Sequence, residues 1–207
     1  MSGMHMKKLR DLFGSRHFCI ALLAVMAAIF TNLFASLFIW WKYGEDLPVV
    51  PDLLLDVLPF FEIAWLYNCV PVLGFLVFFV VYAYNKAFPR IPYFLLLVGL
   101  FYIARGIAIV LTPIAYPNEP FTDFFLIKVF RFGVNPSGHS GSLFLFFLLS
   151  GGNYKKVFLA MTVLDGVLML LGAAHYSIDI FASFFFSYSV YSLGEKHFSY
   201  FRLAQRT

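Results

Sequence analysis

Apolar positions in this chain gather into long runs, set apart by short clusters of proline, glycine and charge. Six runs stand out, from about Phe18 to Trp41, Phe60 to Tyr84, Ile91 to Ile114, Gly138 to Ser150, Lys156 to Ala173 and Tyr176 to Leu193. About 20 apolar residues in helical form cover a bilayer core. The pattern predicts an all-α fold, a bundle of six transmembrane helices. The fourth run is short for a full crossing, which predicts a mouth recessed into the protein. The first run exceeds the roughly 7–15 apolar residues of a signal peptide, and no small-x-small cleavage site follows it, so it is expected to be a retained helix.

Composition agrees with the setting. Of 207 residues, 61% are hydrophobic and only 13% charged, against about a quarter charged in a soluble domain. A chain this short has too little interior to hide so much apolar surface from water. Charge then orients the bundle. Lys7, Lys8, Arg10 and Arg16 precede the first run, Lys86 and Arg90 separate the second and third, Lys155 and Lys156 the fourth and fifth, and Lys196, Arg202 and Arg206 follow the sixth. The alternate loops carry Lys42, Lys128 and Arg131, but also Glu45, Asp46, Asp52, Asp56, Glu119 and Asp123. Basic residues mark the cytoplasmic side, so both termini are expected there. No basic stripe lies outside these anchors, so no nucleic-acid partner is expected.

The expected organisation is a cytoplasmic amphipathic stub over 1–17, a six-span domain over 18–194 and a basic cytoplasmic tail over 195–207. For the stub, Leu9, Leu12 and Phe13 interleaved with the cations read as an interfacial helix; a solvated tail is the alternative. Cys19 and Cys69 lie in or beside apolar runs without metal-ligand spacing, and small apolar packing is their expected role. There is no internal repeat.

Two polar strings interrupt this apolar background on the extracytoplasmic side. Pro136-Ser137-Gly138-His139 ends a turn at a helix start, with Ser137 as N-cap and free amides able to cradle an anion. His175-Tyr176-Ser177-Ile178-Asp179 puts a histidine and a carboxylate at helical spacing on one face. Such a pair is costly in a membrane unless the two groups meet, and the carboxylate would fix the imidazole tautomer. A nucleophile-plus-acid pair for phosphoryl transfer on a lipid is the functional reading. The bland alternatives are an interfacial His139 without a role and a His–Asp hydrogen bond that only locks packing. Arg105, inside the third run, is expected to face an interior chamber and bind phosphate, or else to be a structural arginine. Asp165, mid-way along the fifth run, would pair with Arg105, stay protonated or accept a cationic headgroup. Glu62 beside Phe60, Phe61 and Trp65 would form a cation-binding wall, or the rings would simply pack against lipid. The segment 117–134 reads as an interfacial helix roofing the site or as an ordinary loop.

Ser137-Gly138-His139 followed by His175-x-x-x-Asp179 resembles the two histidine motifs of the type-2 phosphatidate phosphatase superfamily, and more closely those of its sphingomyelin synthase branch. Pro51-Asp52 before the second run, and Arg105 with Thr112-Pro113 in the third, are similar to further elements of that branch. The resemblance spans about 48–195. It implies that His175, held by Asp179, is the nucleophile that takes the phospho-headgroup from a glycerophospholipid. It implies that His139 protonates the departing diacylglycerol and then deprotonates a lipid alcohol of the ceramide or diacylglycerol type. Arg105, Ser137 and Gly138 would bind substrate, and no metal or other cofactor would be needed.

Departures bear on the reaction. The phosphatases carry an arginine where this chain has Met169, and their Lys-x6-Arg-Pro element is missing. A headgroup diester carries one negative charge fewer than a phosphomonoester, so fewer cationic clamps fit a transferase or phospholipase C-type enzyme better than a monoester phosphatase. Ala173 and Ala174 stand where the synthases often have an acidic residue, which leaves headgroup and acceptor open. The alternatives are a lipid phosphatase or phospholipase C-type hydrolase using water, and a non-catalytic lipid-binding membrane protein. A transporter is disfavoured by the absence of an inverted repeat. The expected location is the plasma membrane of a bacterium, or a Golgi or plasma membrane of a eukaryote, with the site facing outward or into the lumen.

Overall fold

The computed structural model describes residues 12–44, 46–85, 87–118 and 133–202. Lys7, Lys8, Arg10, Glu45, Lys86, Glu119, Asp123, Lys128, Arg131 and Arg206 lie outside them, as do most of the N-terminal stub and of the 117–134 segment. Among the described residues all regular structure is helical: α1 (Arg16–Tyr43), α2 (Leu53–Val57), α3 (Ala64–Tyr84), α4 (Ile91–Leu111), α5 (Gly138–Leu149), α6 (Gly152–Leu171) and α7 (Ser177–His197), with short 3-10 turns at Phe88–Arg90 and Ser199–Phe201.

Among the described residues three helices are long and apolar enough to cross a membrane: α1, the Ala64–Tyr82 stretch of α3, and α4 with the turn before it. Helix α5 is apolar but has only 12 residues, about 18 Å at 1.5 Å per residue against a core of about 30 Å. Helices α6 and α7 have the length, with 20 and 21 residues. Their inner faces hold Thr162, Asp165, Asp179, Ser183 and Ser187, all buried, which lowers their mean hydropathy. Outward faces run the other way: Leu23, Phe30, Phe34, Leu76, Val80, Val163, Phe181 and Phe185 are exposed. Polar groups inside and apolar groups outside are compatible with a membrane protein.

Element boundaries depart from the hydropathy reading by a few residues at several ends, α6 for instance beginning at Gly152 and not Lys156. Helix α1 begins at Arg16, two residues before the apolar run, because Ser15 caps it by accepting a hydrogen bond from the Phe18 amide at 3.2 Å. Helix α3 begins at Ala64, not Phe60; the Phe61 amide is committed to the Leu171 carbonyl at 2.8 Å, which holds that strip as a strap. Helix α7 runs on to His197. The two cysteines also differ from expectation. Both Cys19 and Cys69 are exposed on outward faces and pack no core.

Short α5 is the hub, packing against α3, α4, α6 and α7, whereas α1 lies along α4. A cluster of rings fills the centre. Phe78 stands 4.4 Å from Phe94 and 4.8 Å from Phe146 between ring centres, and Phe75 is 4.7 Å from Phe146. Close approach of α1 to α4 depends on Gly99, where an added Cβ would sit 2.7 Å from the Ala24 backbone. The rings of His17 and Phe201 are 4.9 Å apart, which puts both ends of the described chain at one end of the bundle. Both histidine strings lie at the other end.

Candidate active site

Loops converge at that end through backbone ties. The Ser137 amide donates to the Asp179 carbonyl at 3.1 Å, Ala115 to Pro48 at 3.0 Å and Asn118 to Ala173 at 3.2 Å. Asp52 fastens the strap. Its Oδ1 accepts the amides of Leu54 and Leu55 and so caps α2, while Oδ2 accepts the Ser177 amide at 2.6 Å at the start of α7. Burial would raise this carboxyl's pKa, but the amides of Ser177, Leu55 and Leu54 outweigh it and hold the group below the usual carboxylate range.

His139 stands in the first turn of α5. Ser137 is the N-cap, its Oγ accepting the Ser140 amide at 3.4 Å. The amides of Gly138 and His139 have no partner among the described residues and are left for an anion. A side chain at 138 would meet Arg105 Nε at 3.1 Å and Tyr102 at 3.2 Å, so the guanidinium lies against this turn.

His175 and Asp179 do meet, with Nδ1 and Oδ2 at 3.4 Å. They do so by a route other than helical stacking. Helix α7 begins at Ser177, so His175 sits in the preceding turn. Asp179, in the first turn of the helix, reaches back to accept the Tyr176 amide at 3.0 Å, as in the return half of a capping box. That hydrogen bond carries the carboxylate to the histidine. Asp179 is fully buried, and its Oδ1 has no hydrogen-bond partner among the described residues.

The imidazoles of His139 and His175 face each other with ring centres 6.4 Å apart, at 81°. Both line a cavity of about 670 Å³. Arg105 lines it too, and its donors are heavily engaged: Nη1 to Asn32 Oδ1 at 2.7 Å, Nε to the Pro136 carbonyl at 2.9 Å, Nη2 to the Gly133 carbonyl at 2.5 Å. It braces the turn that carries His139 while keeping its charge beside the two rings. Away from the histidines the cavity walls turn apolar, with Val25, Ile29, Phe75, Phe79 and Val98. No carboxylate lines it among the described residues. A space with a cationic, histidine-bearing part and apolar walls elsewhere fits an amphiphile with an anionic head.

Of the expected site residues, His139, His175, Gly138 and Arg105 line this cavity, with Ser137 and Asp179 packed directly behind. Asp165 does not pair with Arg105; its Oδ2 accepts the Ser140 hydroxyl at 2.8 Å. Glu62 does not build a cation wall here. It is exposed, as are Phe60, Phe61 and Trp65, because the strap turns them away from the cavity. Three contributors were not anticipated. Asn32 on α1 is buried, accepts from Arg105 and donates to the Tyr102 carbonyl at 2.6 Å. Tyr102 donates to the Gly138 carbonyl at 3.2 Å. Tyr116 lies 6.0 Å from the His175 ring and donates to the Gly133 carbonyl at 3.2 Å; desolvation raises its pKa and keeps the hydroxyl a donor. A lone asparagine inside an apolar run was the one available signal. No family model matches this chain, and no curated protein does.

Proposed function

We propose that the protein is an integral-membrane phosphotransferase that moves a phospho-headgroup from a glycerophospholipid to a lipid alcohol. In this reading six helices span the bilayer, both termini face the cytoplasm and the histidine end faces outward or into the lumen. The observation that carries the proposal is the pair of imidazoles 6.4 Å apart across one cavity, beside Arg105 and two free amides at the α5 N-terminus. The resemblance of both histidine strings to those of the type-2 phosphatidate phosphatases and sphingomyelin synthases supports it as well.

Chemistry follows from the roles available. Nδ1 of His175 faces Asp179, leaving Nε2 with its lone pair toward the cavity. Nε2 attacks phosphorus, forming a P–N bond while the P–O bond to diacylglycerol breaks. His139 gives its proton to the departing oxygen. The acceptor hydroxyl then loses its proton to His139 and displaces His175 from phosphorus, restoring both rings. Arg105 and the amides of Gly138 and His139 offset charge on the phosphoryl oxygens. Asp179 stabilises the charged His175 ring and fixes its orientation.

A single guanidinium, already braced by three acceptors, suits the lower charge of a phosphodiester. Purified protein given labelled phosphatidylcholine or phosphatidylethanolamine is expected to release diacylglycerol, and His175→Ala or His139→Ala to abolish release. Turnover that rises with added lipid alcohol marks transfer; turnover indifferent to it marks hydrolysis by water. Release unaffected by both substitutions overturns the reading.

A further inference from the structure

The end of the bundle remote from the histidines holds a second cavity, of about 280 Å³. Its walls include Tyr82 at the end of α3, Arg90 and Tyr93 around the start of α4, Gly151 before α6, and Tyr191 and Arg202 around the end of α7. Two features of these walls, and one beside them, ask for an anion.

The first is the start of α6. Its N-cap is Gly151, which offers no side-chain acceptor, and its first turn has no acidic residue. Lys155 and Lys156 follow instead. Cations near a helix N-terminus oppose its dipole, and this helix begins at Gly152 without a side-chain cap, beside the cavity wall formed by Ser150 and Gly151. The second is Tyr82. The residue is only 9% exposed, yet its hydroxyl has no hydrogen-bond partner among the described residues and opens onto this cavity. The third is charge. Arg202 pairs with Glu195 and lies over the Tyr93 ring at 4.4 Å, while Tyr93 also donates to Glu195 at 2.7 Å. Glu195 is thereby shared, and Arg90 has no ion-pair partner among the described residues. One positive charge remains uncompensated.

We propose that this second cavity binds a phosphate-bearing anion, held by Arg90 and the Tyr82 hydroxyl beside the start of α6. Basic pockets between membrane helices take acidic lipid headgroups in this way, and the volume admits a phosphate with a few waters at about 30 Å³ each. An acidic phospholipid and free phosphate are the two sources of that chemistry. The site needs no part of the histidine machinery.

The test uses the purified full chain in phosphatidylcholine nanodiscs, with and without phosphatidylglycerol, and separately with inorganic phosphate. Thermal unfolding and lipid retention in native mass spectrometry are the readouts. Phosphatidylglycerol is expected to raise Tm, and Arg90→Gln to weaken its binding about tenfold, the scale of one charge-assisted hydrogen bond. Tyr82→Phe, which removes a single oxygen and keeps the ring, should weaken binding by a smaller factor, and His175→Ala should leave it intact. A shift with inorganic phosphate alone that shows the same sensitivities assigns the site to the free ion. No shift with either anion, a shift equal in wild type, Arg90→Gln and Tyr82→Phe, or one lost in His175→Ala overturns the proposal.

Discussion

The backbone amide of Ser137 donates to the backbone carbonyl of Asp179 at 3.1 Å, joining the two histidine-bearing turns. One hydrogen bond thus couples the residue that caps α5 to the residue that orients His175. The facing of the two rings therefore rests on main-chain geometry and not on side-chain packing alone.

Asp179→Asn tests the orienting role. The amide still reaches the Tyr176 backbone but carries no charge for the His175 ring and permits the wrong tautomer. Headgroup release is expected to fall by about two to four orders of magnitude, with KM little changed. The measurement is steady-state kinetics on labelled phospholipid, accompanied by a circular dichroism spectrum to establish that the helices persist.

Asn32→Ala removes the acceptor from Arg105 Nη1 and the donor to the Tyr102 carbonyl, both in a buried setting. Loss of about 1–3 kcal/mol is expected, read by unfolding in detergent. Arg105 is also freed to swing from the His139 turn, so KM for phospholipid should rise more than kcat falls.

Gly99→Ala probes the α1–α4 approach. The added methyl meets backbone atoms of Ala24, which cannot turn aside as a side-chain tip would. A cost of about 1–3 kcal/mol is expected. Gly44→Ala, where nothing lies within 4 Å of the added Cβ, is the matched comparison, although its φ of +61° adds local strain. Thermal unfolding of the two variants separates interhelical overpacking from backbone strain, because only Gly99→Ala should also disturb the cavity and lower lipid turnover.

Asp52 makes stability depend on acid. Its carboxyl is depressed in the folded chain, so its contribution is complete above the unfolded value of about 3.9 and disappears as pH falls through the lower folded value. Asp52→Ala should cost about 1–2 kcal/mol at neutral pH through loss of a helix cap, and its unfolding temperature should fall less steeply between pH 5 and pH 3 than that of the wild type. Differential scanning over that range reads both effects.

The helical segments were legible because their signal is a one-dimensional sum of apolar residues, and all six runs became helices. So were the two histidine strings, since Ser137 as N-cap and Asp179 at four residues from His175 are local relations. What escaped reading was non-local. Asp52 holds Ser177 across 125 positions, and Asn32 holds Arg105 across 73; no spacing rule connects such residues before the helices are packed. The Phe60–Ile63 strip misled because apolar residues read alike in a helix and in a strap, and only the hydrogen bond from Phe61 to Leu171 distinguishes them.

Mass spectrometry of the wild-type protein, quenched during turnover without added lipid alcohol, tests the central claim most directly. Headgroup-labelled phospholipid is expected to leave a phospho-headgroup adduct on His175 that disappears when lipid alcohol is added. Diacylglycerol formed with the label on a residue other than His175, or formed equally well by His175→Ala, would contradict the account.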